Sequence, residues 1–461
     1  MIVHMDTLKQ PQRPDVEEVI KTCDRLVGDD WMQMCAQIPV DVEELARETK
    51  ALQRKRKVRS ALDLLRLVLG YSVCDWSLRL VGVWATVIGL GFLSDVAVYR
   101  RLCHTPAWLG RIIGSYLQRR QHGLAGRSVH VRLIDASTVS EPGSQGTDWR
   151  LHAKFDLGAC SLTGVEVTDA SGGETLQRHT AQENEINVAD RGYAHRKGLG
   201  TIFAALAYIV VRINWQNLPL ETAEGRKFDL IGWLRAQSCY PCETSAWVVT
   251  PMGHVAVRVI AQRLPQEKAA AAQRRARQAS RKKGHTPSQE TLFAAGYILL
   301  LTNLPAPVWT AEQVLALYRL RWQVELLFKR LKGILDLDRL RAKNPVLAQV
   351  YLLGKLVGAL LLEEWTADLA ANDVAEWFED TVRPVSLWRW MSLWTDVLRQ
   401  TIRGPLTLSR VLVALPYLAR YLRDAPRKRR QQAACARQWL NALSLPVEMF
   451  NRVYCHELTV A

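Results

Sequence analysis

The chain has 461 residues, of which 48% are hydrophobic, and its 61 Lys and Arg against 45 Asp and Glu give a formal net charge of +16. This composition excludes a disordered chain and predicts about two to four globular domains with an acidic polymer as partner. The longest apolar run, Leu80 to Leu93, is too short to cross a bilayer, and the first residues lack the pattern of a signal peptide. We therefore expect a soluble cytoplasmic protein without a membrane partner.

The nine cysteines are scattered along the chain without a regular spacing. Such a distribution is typical of a reducing compartment, where we expect no structural disulfides. Cys239 and Cys242 form a CxxC sequence, but no second Cys or His pair stands at zinc-finger spacing. Zinc is therefore not predicted, and the role of the pair is left open.

Residues 1–125 are predicted to form a helical region that binds DNA. Apolar positions recur every three to four residues in "ALDLLRLVLGY", "SLRLVGVWATVIGL" and "SDVAVYRRLCHTPAWLGRIIGSYLQRR", and Ser94 with Asp95 marks a helix start. The run "RKRKVR" at 54–59 suits phosphate contacts, or alternatively an ordinary solvated face. Helical DNA-binding modules place one helix in a groove, but the pattern does not single out which helix does so.

Residues 126–214 are predicted to form the first part of an α/β catalytic core. The short runs "SVHVRLIDAS", "WRLHAKFDLG", "LTGVEVTDAS", "INVADRGY" and "AYIVVRIN" alternate or are continuously apolar, and turn residues separate them. A helix near 197–206 falls between the last two runs. Strands and a helix in this order indicate an α/β unit.

Residues 215–307 contain further strands and a basic helix. Strand-like runs are "SAWVVTPM", "HVAVRVIAQRL" and "GYILLLTNLP", and an Ala-rich segment at 268–283 lies between the last two. Its cations have little acid to balance them; they are Arg274, Arg275, Arg277, Arg281, Lys282 and Lys283. We predict that this helix contacts nucleic acid, with a solvated face as the alternative.

A helix is predicted over 311–335, within the last part of the core at 308–345, and it has three faces. The core stripe consists of Leu320, Val324, Leu327 and Leu331, and the water-facing side of Arg319, Gln323 and Arg330. A third face carries Tyr318, Arg321, Glu325 and Lys332. The simplest explanation of this face is an exposed ion pair between Arg321 and Glu325, worth about 0.3–0.5 kcal/mol.

Residues 346–461 read as a helical C-terminal region with a possible role in dimerisation. Apolar periodicity continues through "VYLLGKLVGALLLEEW", "SLWRWMSLWTDVLRQTI" and "LSRVLVALPYLARYLRD". Several tryptophans are predicted to pack in a core or an interface; they are Trp365, Trp388, Trp390 and Trp394.

Aspartates stand where predicted strands give way to loops. Asp135 closes "VHVRLID" and Asp190 closes "INVAD", where catalytic side chains collect in α/β sheets and where Asp also simply forms turns. Asp156 and Asp169 occupy similar positions. Carboxylates from distant parts of a chain can hold two divalent ions about 3.5–4 Å apart, and hard oxygen ligands select Mg²⁺ or Mn²⁺.

These residues resemble the insertion sequence 4 family of bacterial transposases. Asp135, Asp190 and Glu325 match its DDE triad, and the series Tyr318-x2-Arg321-x3-Glu325-x6-Lys332 matches its YREK signature. The resemblance implies a ribonuclease-H-like core interrupted by an inserted β-rich domain, here 215–307, with helical regions on both sides. It also implies that the triad holds the metal ions and that Arg321 and Lys332 hold phosphates.

The activity implied by the resemblance is cut-and-paste transposition in the bacterial cytoplasm, in association with the nucleoid. A homodimer would bind the terminal inverted repeats of its element, hydrolyse phosphodiesters there and join the ends to target DNA, with Tyr318 acting at a hairpin intermediate. Hairpin-forming relatives carry a Trp on the strand before the YREK helix; here that strand offers Ile298 with Tyr297 beside it, so Tyr297 or Trp309 is expected to stack on a flipped base. The alternatives are a nuclease that lacks strand transfer and an inactive DNA-binding derivative that acts as a repressor.

Overall fold

The computed structural model describes residues 30–123, 130–159, 161–372 and 387–404. Helices in chain order are α1 Trp31–Cys35, α2 Val42–Glu48, α3 Ala61–Ser72, α4 Leu78–Val87, α5 Asp95–Leu102, α6 Pro106–Gly123, α7 Arg196–Ala204, α8 Leu230–Arg235, α9 Gln266–Lys282, α10 Gln289–Ala294, α11 Ala311–Arg319, α12 Trp322–Leu335, α13 Pro345–Asn372 and α14 Leu387–Arg403. Strands are β1 His130–Val139, β2 Trp149–Asp156, β3 Ser161–Asp169, β4 Glu185–Ala189, β5 Tyr208–Arg212, β6 Cys242–Thr250, β7 Gly253–Arg263 and β8 Tyr297–Thr302. The predicted mixed α/β class is confirmed.

Within the described residues, the eight strands form one sheet in the order β3-β2-β1-β4-β5-β8-β7-β6. The pairs β1–β4 and β4–β5 are parallel, and the other neighbours are antiparallel. Strands β6 and β7, from the segment predicted as an inserted domain, continue this sheet through β8. The division of the chain into domains stays a prediction.

Strand β1 runs past Asp135 to Val139, so the expectation that Asp135 ends its strand is wrong. The reason is that residues 136–139 keep pairing with β2, with Ala136 opposite His152 and Val139 opposite Trp149. On its other side, β1 pairs with β4 only as far as Ile134 opposite Ala189. Asp135 therefore lies where the parallel ladder stops and the antiparallel one continues.

A buried ionic cluster fixes the register of β1, β2 and β4. Arg132 on β1 binds Asp156 on β2, and its Nε donates to Glu185 Oε1 at 2.7 Å on β4. Lys154 on β2 donates to the second oxygen of Glu185, also at 2.7 Å. Because removing one partner would leave a buried charge uncompensated, a slip of any one strand is strongly disfavoured.

Apolar side chains cover both faces of the sheet. A large core joins one face to α3, α6, α12 and α13, and a second core on the other face includes α7 and α8. Helix α12 packs against β1 and so faces Asp135. The stretch Pro345–Ala367 of α13 is long and apolar enough to cross a membrane. However, 78% of its most apolar 18-residue segment is buried inside the protein.

The helix predicted over 311–335 is two helices, α11 and α12, which meet at a tight turn. Hydrogen bonds there run from Leu320 N to Leu317 O at 3.0 Å and from Arg321 N to Tyr318 O at 3.1 Å, three residues back instead of four. The tighter turn rotates Leu320 outwards, and its 40% exposure contradicts its predicted place in the core stripe. The other three members of the stripe, Val324, Leu327 and Leu331, are buried.

The helical ends of the chain follow the predicted periodicity where they are described. The Ser94 hydroxyl caps α5 by accepting from Ala97 N, and the long predicted helix after it divides into α5 and α6 at Pro106. The ring of Trp394 lies 5.0 Å from that of Trp365 and 5.5 Å from that of Trp390, so this part of the tryptophan set packs together. The parts of the predicted helical regions at 1–29 and 405–461 lie outside the described residues.

Cys74, Cys103, Cys239 and Cys242, all within the described ranges, carry free thiols.

Candidate active site

Asp135 and Asp190 are brought together by the parallel pairing of β1 with β4. Each aspartate directly follows a residue of the last paired position, Ile134 opposite Ala189. Asp190 also accepts a hydrogen bond from Gly192 N at 2.7 Å and so caps a short 3₁₀ turn, Arg191–Tyr193. The turn-forming role considered for Asp190 is therefore real, and it leaves the second carboxylate oxygen free of that bond.

Arg321 joins the third carboxylate to the first. Its Nη1 donates to Asp135 Oδ2 at 2.9 Å and its Nη2 donates to Glu325 Oε1 at 2.7 Å. The i,i+4 ion pair considered from the sequence is present, but it does not lie alone on a solvated surface, because Arg321 is only 18% exposed and also binds β1. One guanidinium thus bridges two carboxylates from elements far apart in the sequence.

The three carboxylates open into one cleft of about 460 Å³ between β1, β4 and α12. Its lining consists of Asp135, Ala136, Ser137, Asp190, Arg321, Glu325, Phe328, Lys329 and Lys332. Lys329 was not predicted from the sequence, although it stands one helical turn after Glu325 and on nearly the same face. The cleft therefore combines carboxylates at its sheet side with cations along α12.

Two other residues of the YREK series lie at the margins of this cleft. Lys332 is half-buried and its Nζ donates to the Thr138 carbonyl oxygen of β1 at 3.0 Å. Tyr318 is half-buried against the first core and does not line the cleft, but the Arg321 guanidinium carbon lies 6.0 Å from its ring centroid. Burial raises the pKa of the Tyr318 hydroxyl, and the charges of Arg321 and Arg212 oppose that rise.

The carboxyl of Asp135 stands in a partly desolvated position. Burial raises its pKa to about 6, although the Arg321 guanidinium and the Ala136 N–H both act to lower it. The charges of Asp190 and Glu174 raise this pKa further. Asp135 is therefore a carboxylate whose negative charge needs a nearby cation to be stable.

The donor atoms of this cleft fit a hard divalent cation. Asp135, Asp190 and Glu325 supply oxygens, the ligand type that Mg²⁺ and Mn²⁺ prefer. Among the described residues, no three Asp, Glu, His or Cys side chains lie close enough to hold an ion as they stand, and Arg321 bridges two of the three carboxylates. An ion bound between Asp135 and Glu325 would therefore compete with Arg321 for their oxygens.

Glu174 and Tyr193 also belong to this neighbourhood, and sequence reasoning missed both. Burial and the charge of Asp190 raise the pKa of Glu174, and the carboxylates of Asp135, Glu174 and Asp190 all add to the effect of burial in raising the pKa of Tyr193. Tyr193 lies in "DRGY", close enough to Asp190 in sequence to have been considered. No sequence pattern indicates Glu174, because only the tertiary structure brings its loop close to Asp190.

The other predicted DNA contacts lie away from the cleft. The four arginines of α9 are exposed to solvent; they are Arg274, Arg275, Arg277 and Arg281. Tyr297 is only 8% exposed and packs in the second core, with its ring centroid 5.6 Å from that of Tyr240 and 5.2 Å from that of Phe293. Ile298 and Trp309 are half-buried. A base would reach the Tyr297 ring only if the core opened, and a stacking role for it stays a prediction.

The two comparison aspartates have structural partners outside the cleft. Asp156 is buried and bound to Arg132, and Asp169 accepts a hydrogen bond from Ser171 N at 2.9 Å in an exposed turn. Several aspartates thus lie at or near strand ends. Only the register of the sheet distinguishes Asp135 and Asp190, which reach the cleft, from Asp156 and Asp169, which do not.

Comparison with known proteins gives a consistent set of matches. The chain matches the family described as "Transposase DDE domain" over residues 130–362. It is 38% identical, over 73% of this chain and 94% of the relative, to the putative transposase InsL for insertion sequence element IS186A of Escherichia coli (strain K12). The transposase for insertion sequence element IS421 of Escherichia coli is also 38% identical with the same coverage. The transposase for IS231F of Bacillus thuringiensis subsp. israelensis is 25% identical over 70% of this chain and 76% of the relative.

Proposed function

We propose that this chain, which belongs to the DDE-domain transposases of insertion sequence elements, moves its own element by a cut-and-paste reaction. It would bind the terminal inverted repeats, hydrolyse phosphodiesters at the element ends and join the freed 3′-ends to target DNA. The observation that carries this proposal is the meeting of Asp135, Asp190 and Glu325 in one cleft with three cations of α11–α12. We assign the chain to the insertion sequence 4 family on its YREK residues.

A DDE domain implies dependence on a divalent metal, and we propose two ions, Mg²⁺ or Mn²⁺, held by Asp135, Asp190 and Glu325. Bound there, the ions would activate the attacking water or 3′-hydroxyl and stabilise the leaving oxygen. The bridge that Arg321 makes between Asp135 and Glu325 supports a second role for this residue: it keeps two like charges together until cations replace it, and then binds a phosphate.

Lys329 and Lys332 would position the DNA backbone along α12, since both line the cleft and ammonium groups bind phosphate as point charges. Tyr318 would donate its hydroxyl to a phosphate oxygen of the hairpin without adding charge. The position of its ring centroid, 6.0 Å from the guanidinium carbon of Arg321, supports this role. A hydroxyl whose pKa is raised stays protonated and remains a donor at neutral pH.

We propose that β1 to β5, α7 and α12 form the ribonuclease-H-like core, into which residues 215–307 are inserted. Two aspartates on adjacent parallel strands, with the glutamate on a helix packed against the first of these strands, support this division. The helical regions at 1–125 and 346–461 would then flank the core.

A second cleft supports DNA binding by the N-terminal region. It measures about 530 Å³ and is lined by Lys50, Ala51, Gln53, Arg54, Arg56, Ser94, Val96, Ala97, Arg100, Arg101 and His104. No acidic residue is part of this lining, which suits a phosphate backbone. In the run at 54–59, Lys55 pairs with Glu43 and the Lys57 ammonium donates to the Phe92 carbonyl at 2.7 Å, so Arg54 and Arg56 are the better candidates for DNA contacts.

The proposed assembly is a homodimer on two element ends, acting on double-stranded DNA in the bacterial cytoplasm at the nucleoid. Helix α14 supports a contact through the C-terminal region, because Trp388 and Leu393 on it are 46% and 57% exposed. Exposed large apolar side chains on an amphipathic helix are typical of surfaces that a partner covers.

The proposed function is tested with purified protein, Mg²⁺ and a DNA fragment that carries both ends of the element, taken from the DNA flanking the gene. We expect a nick at each end, then hairpin or double-strand-break products, then joined products when a target plasmid is added. Cleavage without joining would identify a nuclease, and binding without cleavage would identify a repressor. Either result would contradict the proposal.

A further inference from the structure

A fourth carboxylate, Glu174, stands directly beside Asp190. Glu174 lies in the loop between β3 and β4, and a β-carbon at position 192 would collide with its Oε2 atom. Asp190 Oδ1 lies 3.1 Å from the same position. Both carboxylates therefore lie close to Gly192, and a β-carbon there would displace the Glu174 carboxylate from this position.

The Glu174 carboxylate has no bonded partner within the described residues. Its carboxylate accepts no hydrogen bond and forms no ion pair there, while its backbone carbonyl contacts His195 Nε2 at 3.1 Å. Arg150 acts on Glu174 through its charge, but the Arg150 Nη1 donates to the Gly172 carbonyl at 2.6 Å. Two adjacent carboxylates without a cation between them repel each other, so the pair Glu174–Asp190 is suited to hold one.

The Tyr193 hydroxyl gives an independent indication of a ligand at this place. Tyr193 is fully buried, and its Oη has no hydrogen-bond partner in the described part of the chain. Burial and then the charges of Asp135, Glu174 and Asp190 raise the pKa of this hydroxyl, so it lies near the three carboxylates and forms a hydrogen bond with none of them. A buried hydroxyl without a hydrogen-bond partner destabilises the fold. A bound ion would remove this cost if one of its water molecules, or a carboxylate oxygen drawn towards the ion, accepted a hydrogen bond from Tyr193.

We propose that Glu174 is a further metal-binding residue of this centre and holds, together with Asp190, one of the two divalent ions. The inference rests on the proposed function, since that function supplies the metal requirement. With Glu174 the centre carries four carboxylates, whose charge matches that of two divalent ions. Glu174 approaches Asp190 from the side of Gly192 and Tyr193, which is why it is absent from the lining of the main cleft.

The test is Mn²⁺ binding to the whole DNA-free protein, followed by the electron paramagnetic resonance signal of free Mn²⁺ and by calorimetry. Glu174→Gln keeps the shape and removes the charge, and we expect about a 10–100-fold weaker affinity for one ion. Glu183→Gln changes an exposed carboxylate of the same loop and should bind Mn²⁺ like the wild type. Unchanged Mn²⁺ binding by a folded Glu174→Gln protein would overturn the proposal.

A second variant keeps the test decisive if Glu174→Gln does not fold. Gly192→Ala keeps all four carboxyl side chains but displaces the Glu174 carboxylate from its position near Asp190, so we expect the same loss of one ion. Wild-type Mn²⁺ binding by folded Gly192→Ala protein would contradict a role for Glu174.

Asp135→Asn and Asp190→Asn separate this inference from the proposed function. If these two variants lose Mn²⁺ and Glu174→Gln does not, Glu174 is not a ligand and the transposase centre stands. If the wild-type protein binds Mn²⁺ no better than Asp135→Asn, the metal centre itself is wrong, and Glu174 falls with it.

Discussion

Arg321 bridges two carboxylates of the candidate active site, with its two terminal nitrogens 2.9 Å from Asp135 and 2.7 Å from Glu325. Burial acts to lower the pKa of this guanidinium, and Tyr318, Asp135 and Glu325 raise it overall, so it remains a cation. A fixed cation at this point competes with a metal ion for the same oxygens.

Arg321→Ala should therefore tighten Mn²⁺ binding by at least about tenfold, or about 1.4 kcal/mol, while it slows cleavage because a phosphate contact is lost. Calorimetry on the DNA-free protein measures the first effect, and nicking of end DNA measures the second. Arg319→Ala, an exposed neighbour outside the cleft, should change neither. Weaker Mn²⁺ binding in Arg321→Ala would mean that Arg321 shapes the site and does not compete for it.

Helix α9 shows how a single element can contribute affinity without chemistry. Its arginines at 274, 275, 277 and 281 are exposed, and no carboxylate pairs with them among the described residues. Replacing all four with Gln should flatten the log–log dependence of DNA binding on salt by up to about 3.6 units, because each phosphate contact contributes about 0.9. Fluorescence anisotropy on duplex DNA measures the slope.

The control for α9 is Arg226→Gln, which removes an exposed cation that already pairs with Glu224 at 3.5 Å. That variant should keep the wild-type slope. A fourfold α9 variant with an unchanged slope would return the helix to an ordinary solvated face.

Buried histidines next to the ionic cluster link the sheet to pH. Burial, with the charges of Lys154 and other neighbours, lowers the pKa of His179 to about 3. An unfolded chain binds the proton below about pH 6.5, whereas the folded protein does not until about pH 3. The contribution of neutral His179 to the free energy of unfolding is therefore fully present above about pH 6.5. It falls by about 1.4 kcal/mol per pH unit as the pH drops towards 3.

His179→Leu should remove part of this acid sensitivity, whatever its effect at neutral pH. Urea unfolding at pH 8, 6 and 5 measures the free energy of unfolding of the variant against the wild type. His285→Gln, at an exposed position, should keep the wild-type pH dependence. An equal loss of stability with acid in His179→Leu and wild type would show that His179 is not the titrating group.

Sequence patterns predicted most elements because those patterns record burial. The first five strands and α3, α4, α7 and α9 appear where periodicity places them. The turn between α11 and α12 was not predicted, because no Gly or Pro stands at Leu320 or Arg321 to mark a helix break. The break accompanies the contact of Arg321 with β1. The predicted strand β1 ended too early, at Asp135, for a similar reason. The pairing of residues 136–139 with β2 depends on tertiary structure, and the polar Asp135 gives no sign of it in the sequence.

At the scale of the whole molecule, the meeting of Asp135, Asp190 and Glu325 in one cleft was predictable only because three spaced residues resemble a family motif. Periodicity alone left Asp135 and Asp190 equal to Asp156 and Asp169, and the register of β1 with β4 is what separates them. Glu174 came from the fold, since proximity across loops leaves no sequence pattern, whereas the i,i+4 spacing of Lys329 from Glu325 could have been noticed in the sequence. The continuous sheet through β6 and β7 was likewise beyond the local pattern.

Assembly of two protomers on two ends should precede cutting. Cleavage of end DNA should then rise faster than linearly with protein at low concentration, and sedimentation should show two chains with two DNA ends. Leu393→Ala on α14 should weaken the assembly if this helix forms the contact, whereas Trp388 is less suitable for the test because its ring packs against Gly333 of α12. Full-rate cleavage of single ends by a dilute monomer would contradict a dimer requirement.

The role of the three carboxylates is tested most directly by Mg²⁺-dependent nicking of end DNA with Asp135→Ala, Asp190→Ala and Glu325→Ala. Each should slow nicking by at least about a thousandfold, since a lost ligand removes several kcal/mol, while DNA binding stays within about threefold because phosphate contacts supply most of it. Asp169→Ala is the control; Asp156 is unsuitable because it neutralises the buried Arg132. A triad variant that nicks as fast as Asp169→Ala would remove that residue from the active site.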